Sequence, residues 1–264
     1  MRRSAPAADS HTADAELWAA FTDEIREPAL LSRYRELLTD DERAREVRFR
    51  FASDQHRFLL TRALVRTVLS KYASIEPNAW RFAPDAFGRP QIQNPDPALA
   101  AITFNVSHTL GLILVGVTRG KALGVDTEHL WSRTASAAVA DRFFSTDEAA
   151  ALRLLPDAAR RERFFDYWTL KESYIKARGQ GLSLGLSGFG FDLAEPMRIG
   201  AWFRPELEDA AQHWQFWQFN PSADHVAAVC LQRSGELSPR LVVKQVVPLE
   251  NEQVLPVQIL RQSI

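Results

Sequence analysis

From about His56 to Tyr72, apolar side chains return at every fourth position, at Leu60, Leu64, Val68 and Tyr72. This is the stripe of an amphipathic helix, with Arg62 and Arg66 elsewhere on the wheel. A longer helix is predicted from roughly Arg161 to Arg178, stopped by Gly179. Two more announce themselves by their starts, because Thr39-Asp40-Asp41-Glu42 and Ser145-Thr146-Asp147-Glu148 both have capping-box spacing. The first would carry Arg43 and Arg45, and the second would end near Pro156. Ala15 to Tyr34 reads as weakly helical.

Between the helices the pattern shortens. Ile102 to His108, Leu112 to Val117 and Ala122 to Asp126 are β-rich runs, the last two joined by the turn Thr118-Arg119-Gly120-Lys121. Phe189 to Leu193, Trp214 to Phe219 and Val226 to Leu231 repeat that character further on. Pro84 to Pro90 is turn-rich, with Gly88 able to take positive φ, and it presents Arg89. The expected fold is therefore α+β and pseudo-duplicated, each of two subdomains packing an antiparallel sheet against a long helix. The expected divisions are a flexible tail at 1–14, an N-terminal half at 15–125 and a C-terminal half at 126–264. No residue-level repeat accompanies them.

Composition narrows the class. With 46% apolar residues, seven Trp and sixteen Phe in 264 residues, the chain can bury a substantial core. A formal charge of −1 supplies no overall basic field and disfavours bulk nucleic-acid binding, while local arginine clusters remain able to bind an anionic small molecule. Cys230 is the sole cysteine, so an intramolecular disulfide or a cysteine-rich zinc site is excluded and a reducing, cytoplasmic setting is expected. The opening residues lack the apolar core of a signal peptide or membrane span.

The candidate chemistry centres on Trp168 to Lys176. On a helix, Phe165, Thr169, Glu172 and Lys176 share one narrow face, with Phe164, Trp168 and Ile175 on one flank and Tyr167, Leu170 and Tyr174 on the other. An acid and a base in so apolar a setting point to a site, against the plainer reading of a solvated i,i+4 pair. If Val125 to Glu128 is extended, Asp126 and Glu128 project from the same face. Alone, they could be solvated acids at a strand end. With Glu172 they make three carboxylates without cysteine or HExxH, a set suited to a hard cation, usually Mg2+. Magnesium implies phosphate, and Arg45, Arg89, His108 and Lys176 are the candidate phosphate-binding cations. Ser107 and His108 could bind phosphate together at a strand end, and a structural histidine is an equal alternative. A nucleophile–base pair is a poor reading, since strand neighbours point to opposite faces.

Taken in order, Phe104-Asn105-Val106-Ser107-His108, Gly124-Val125-Asp126-Thr127-Glu128 and Trp168-x-x-Lys171-Glu172-Ser173-x-x-Lys176-Ala177 closely resemble the 4'-phosphopantetheinyl transferases of the large, surfactin-synthetase-activating type. The likeness extends over roughly Asp40 to Leu193. It implies a monomer of two similar halves, with coenzyme A and Mg2+ in the cleft between them and apo acyl or peptidyl carrier proteins as partners. It also implies that Asp126, Glu128 and Glu172 surround the metal, with Glu172 as candidate base, and that Lys176 contacts the pyrophosphate. Arg45, Arg89, Ser107 and His108 match positions that grip the nucleotide phosphates, and Pro84 to Gly88 would flank the adenine. Where Arg89 stands the family often has lysine. The competing functions are a catalytically silent coenzyme A or carrier-binding module and a magnesium-dependent nucleotide phosphohydrolase.

Overall fold

The structure, a computed structural model, describes residues 13–132, 137–235 and 238–264. Residues 1–12 of the expected tail lie outside them. Two sheets lie face to face. The first has the order β12-β11-β1-β5-β4, from β1 (Ala15–Phe21), β4 (Ile102–Thr109), β5 (Leu112–Arg119), β11 (Leu241–Val247) and β12 (Asn251–Val254). The second has the order β13-β9-β10-β6, from β6 (Leu123–His129), β9 (Trp214–Ser222), β10 (His225–Gln232) and β13 (Ile259–Gln262). Short hairpins β2/β3 (Phe82–Pro84, Pro90–Ile92) and β7/β8 (Phe189–Asp192, Gly200–Phe203) complete the strands.

Alternation along the strands explains the layering. On β5, Ile113, Val115 and Val117 enter a core with α3 (Ala52–Leu69), whereas Leu112 and Leu114 enter a core between the two sheets. On β10, Val226, Ala228 and Cys230 face α6 (Asp157–Arg178), while Ala227, Val229 and Leu231 face the first sheet. Strands apolar on both faces are what a sheet buried on both sides requires. The layers are thus α3, first sheet, second sheet, α6. Cys230 is a buried core residue.

This double burial corrects one expectation. Ala15 to Phe21 is a strand, because Trp18 and Ala20 pack toward α3 while Leu17 and Ala19 pack between the sheets. Apolar residues on both faces erase the period of two that would have marked it. Helix begins only with α1 (Pro28–Leu37). Both capping boxes form, on α2 (Asp40–Glu46) and α5 (Thr146–Leu154), and α4 (Ala137–Phe143) precedes the latter.

The halves are also less separate than a 126–264 unit implies. β11 and β12 cross back to the first sheet, where β11 runs parallel to β1 with Ala15 opposite Leu241. The second sheet in turn starts before residue 126, at Leu123. Among the described residues, no helix is long and apolar enough to cross a membrane.

Candidate active site

β6 carries the site because its two faces differ. Leu123 and Val125 point into the core between the sheets, so Gly124, Asp126 and Glu128 point toward α6. The approach is close: a Cβ on Gly124 would lie 1.9 Å from the Ser173 carbonyl oxygen and 2.4 Å from the Ala177 nitrogen. Only glycine admits the strand so near the helix backbone. α6 ends where it should, with Gly179 left-handed at φ 65° and its amide donating to the Ile175 carbonyl.

β4 meets β6 at the seam between the sheets, and side chains supply the ladder there. Asn105 Oδ1 accepts the Val125 amide at 3.0 Å, Ser107 Oγ accepts the Thr127 amide at 3.2 Å, and Thr109 Oγ1 accepts the His129 amide at 3.1 Å. Alternate residues of one strand thereby satisfy alternate amides of the other. The seam also orients Asp126. Its Oδ1 accepts from Ser107 Oγ at 2.9 Å and from Lys176 Nζ at 2.6 Å, while its buried Oδ2 has no hydrogen-bond partner among the described residues.

Lys176 is held three ways, by Asp126, by Ser107 Oγ at 3.1 Å and by the Val125 carbonyl at 3.1 Å. Its ion pair is with Asp126 on another element, not with Glu172 one turn away. Burial, then the Asp126 charge, pushes the half-buried Glu172 carboxyl up to about 6. The same two causes push Glu128 up to about 7, opposed in part by Lys176 and a hydrogen bond from Trp168. The expected carboxylate trio therefore shares one neighbourhood. It is not drawn into a cage, since no three Asp, Glu, His or Cys side chains among the described residues stand close enough to hold an ion as they are. The donor set still fits a hard cation that takes some of its oxygens from water or substrate, because a buried carboxylate oxygen without a partner is a vacant hard ligand.

Glu172 and Lys176 line a cavity of about 290 Å³ together with Phe87, Gly88, Arg89, Asn105 and Gly179. The expected adenine-flanking loop thus borders the same space as the acid and the base. Arg89 reaches across it, but both terminal nitrogens donate to backbone carbonyls, Nη1 to Lys176 at 3.0 Å and Nη2 to Phe104 at 2.9 Å. His108 is at the exposed rim, where partial burial and then Arg57 hold its imidazole below the usual range. Arg45 is exposed on α2, its guanidinium 5.5 Å from the centre of the Phe58 ring, and is not among the residues lining the cavity.

Lys171, the motif residue without an expected role, is fully buried. Its ammonium spends all three protons, on Glu148 Oε2 at 2.8 Å and on the Leu186 and Phe189 carbonyls at 2.7 Å each. Glu148 is the capping-box glutamate of α5 and also accepts the Phe191 amide. The pair ties α5, α6 and β7 together beside Glu172. Asn105, Gly124 and Glu148 are the positions that sequence reasoning missed. The first two stand inside the recognised motifs, and the third was legible only as a helix cap.

These features define a class: a two-sheet α+β enzyme whose acid–base helix faces a buried carboxylate across the seam between its halves. Comparison with known proteins makes it specific. Residues 122–230 match the model of the 4'-phosphopantetheinyl transferase superfamily, and residues 27–118 match that of the 4'-phosphopantetheinyl transferase N-terminal region. The chain is 33% identical over 199 residues to the 4'-phosphopantetheinyl transferase HetI of a Nostoc species, covering 75% of this chain and 80% of that one. It is 29% identical over 198 residues to the 4'-phosphopantetheinyl transferase Sfp of Bacillus subtilis, covering 75% and 84%. A phosphopantetheinyl transferase of a Thraustochytrium species is 27% identical over 227 residues, covering 81% and 77%. The chain belongs to the 4'-phosphopantetheinyl transferase family.

Proposed function

We propose that this enzyme transfers 4'-phosphopantetheine from coenzyme A to a serine of apo acyl or peptidyl carrier proteins, releasing adenosine 3',5'-bisphosphate. The observation that carries the reading is the shared cavity of Glu172 and Lys176 beside Asp126, whose buried Oδ2 has no partner among the described residues. Glu172 is the candidate base. It takes the proton of the serine hydroxyl, whose oxygen attacks the β-phosphorus of coenzyme A as the bond to the bridging pyrophosphate oxygen breaks. Lys176 neutralises charge on the pyrophosphate oxygens, moving from Asp126 Oδ1 within hydrogen-bond reach.

Asp126, Glu128 and Glu172 are the residues that would hold Mg2+, which when bound supplies further neutralisation of the pyrophosphate. Ser107 and His108, near the end of β4, and the exposed Arg45 are the groups that would meet the nucleotide phosphates, with Arg89 adding positive charge beside the cavity. The Pro84 to Gly88 turn flanks the adenine. The same reading takes the enzyme to be a monomer acting in the cytoplasm, with acidic carrier proteins as partners.

The test is direct. Incubated with coenzyme A, Mg2+ and a panel of apo carriers, the protein should add the mass of one phosphopantetheine to a carrier. A silent binding module would bind coenzyme A without that gain. A phosphohydrolase would turn over without any carrier, and either result would overturn the reading.

A further inference from the structure

The turn before β3 is braced from within. Asp85 Oδ1 accepts the amides of Phe87 and Arg89, both at 2.9 Å, Asp85 Oδ2 accepts from Gln91 Nε2 at 3.2 Å, and Gly88 takes φ 82°. The turn therefore delivers the Arg89 backbone in one orientation. From there the guanidinium spans two elements, with Nη1 on the Lys176 carbonyl and Nη2 on the Phe104 carbonyl. The Lys176 carbonyl lies in the last turn of α6, where helix carbonyls take partners from beyond the helix. A positive group there also meets the negative end of the helix dipole.

Arg89 makes no ion pair among the described residues, and its Nε is buried without a partner. Its fork is thus engaged by two backbone carbonyls from two different elements. Lysine offers one ammonium in place of a planar fork, so it would have to serve both carbonyls from a single point. We propose that Arg89 is a positioning residue: it caps α6 from the other half of the molecule and fastens that cap to β4, thereby fixing where Lys176 stands. The Lys176 backbone is then held by Arg89 while its ammonium is held by Asp126, Ser107 and Val125.

The kinetic half of the test rests on the transfer reading, and the exchange half does not. In the full chain, Arg89→Lys and Arg89→Met are compared with wild type by hydrogen exchange over residues 174–181 and by steady-state transfer from coenzyme A and from 3'-dephospho-coenzyme A. Both variants should speed amide exchange in the last turn of α6. Arg89→Lys should lower kcat roughly tenfold or more, as displaced catalytic groups do, with KM for coenzyme A changed less than about threefold. Its kcat/KM preference for coenzyme A over the dephospho form should be unchanged. A phosphate ligand behaves otherwise: Arg89→Lys would stay near wild type, while Arg89→Met would raise KM and erase the preference. That pattern, or unaltered exchange in Arg89→Lys, overturns the proposal. If the wild-type protein transfers nothing, the transfer reading falls and the exchange data still decide the role of Arg89.

Discussion

Glu172 and Lys176 sit one helical turn apart, yet the site keeps their charges at different work. Lys176 is neutralised by Asp126, which leaves Glu172 without a close counter-ion and lets burial raise its carboxyl to about 6. A base must be ionised to accept a proton, so the active form of Glu172 accumulates as pH rises through that value. That value is the carboxyl's without a cation: followed by NMR in the absence of Mg2+, Glu172 should titrate near 6, and added Mg2+ should shift it down. Glu172→Gln should lower kcat at least about a hundredfold while coenzyme A binding measured by calorimetry persists. Undiminished turnover in that variant would remove Glu172 as the base. Lys171, its neighbour, belongs to architecture instead: all of its donors are satisfied, and removing one partner of such a buried pair typically costs about 3–5 kcal/mol.

At the scale of elements, the contact that matters most is β6 against α6. Gly124→Ala places a methyl group inside the α6 backbone, so strand and helix must part. The expected result is a large fall in thermal unfolding temperature together with loss of coenzyme A binding. A variant as stable as wild type would contradict the packing at Ser173. Such contacts mark the limit of what a chain discloses by itself. α3, α6 and both capped helices were legible because their signals are local, a four-residue stripe or a Ser/Thr-x-x-Glu start. The acids and bases were legible because their residue types and spacings imply a shared face. β1 was hidden by apolar residues on both faces, and the Arg89 fork by its acceptors, two backbone carbonyls that residue type does not reveal. The seam of Asn105, Ser107 and Thr109 was hidden likewise, since its acceptor atoms answer amides and not side chains.

The whole molecule is a double-sided stack in which the first sheet is finished by β11 and β12, strands that follow all of the second sheet except β13. Ending the chain at residue 235 would strip β11 from one side of β1 and remove β13 from β9. We expect such a truncation to lose amide protection in β1 as well as in β9, measured by hydrogen exchange. Protection in β1 equal to that of the full chain would show that the first sheet stands without its last two strands. During synthesis, the same topology sets an order of events. Among the described strands β1 emerges first but gains its β11 partner only after residues 241–247 have left the ribosome, because closing so long a loop must precede the pairing. Until then β1 is an open edge, apolar on both faces, and such an edge invites pairing with other chains. The step most exposed to misassembly is thus the wait of the first strand for its last neighbour, and this protein should depend on chaperones most heavily then.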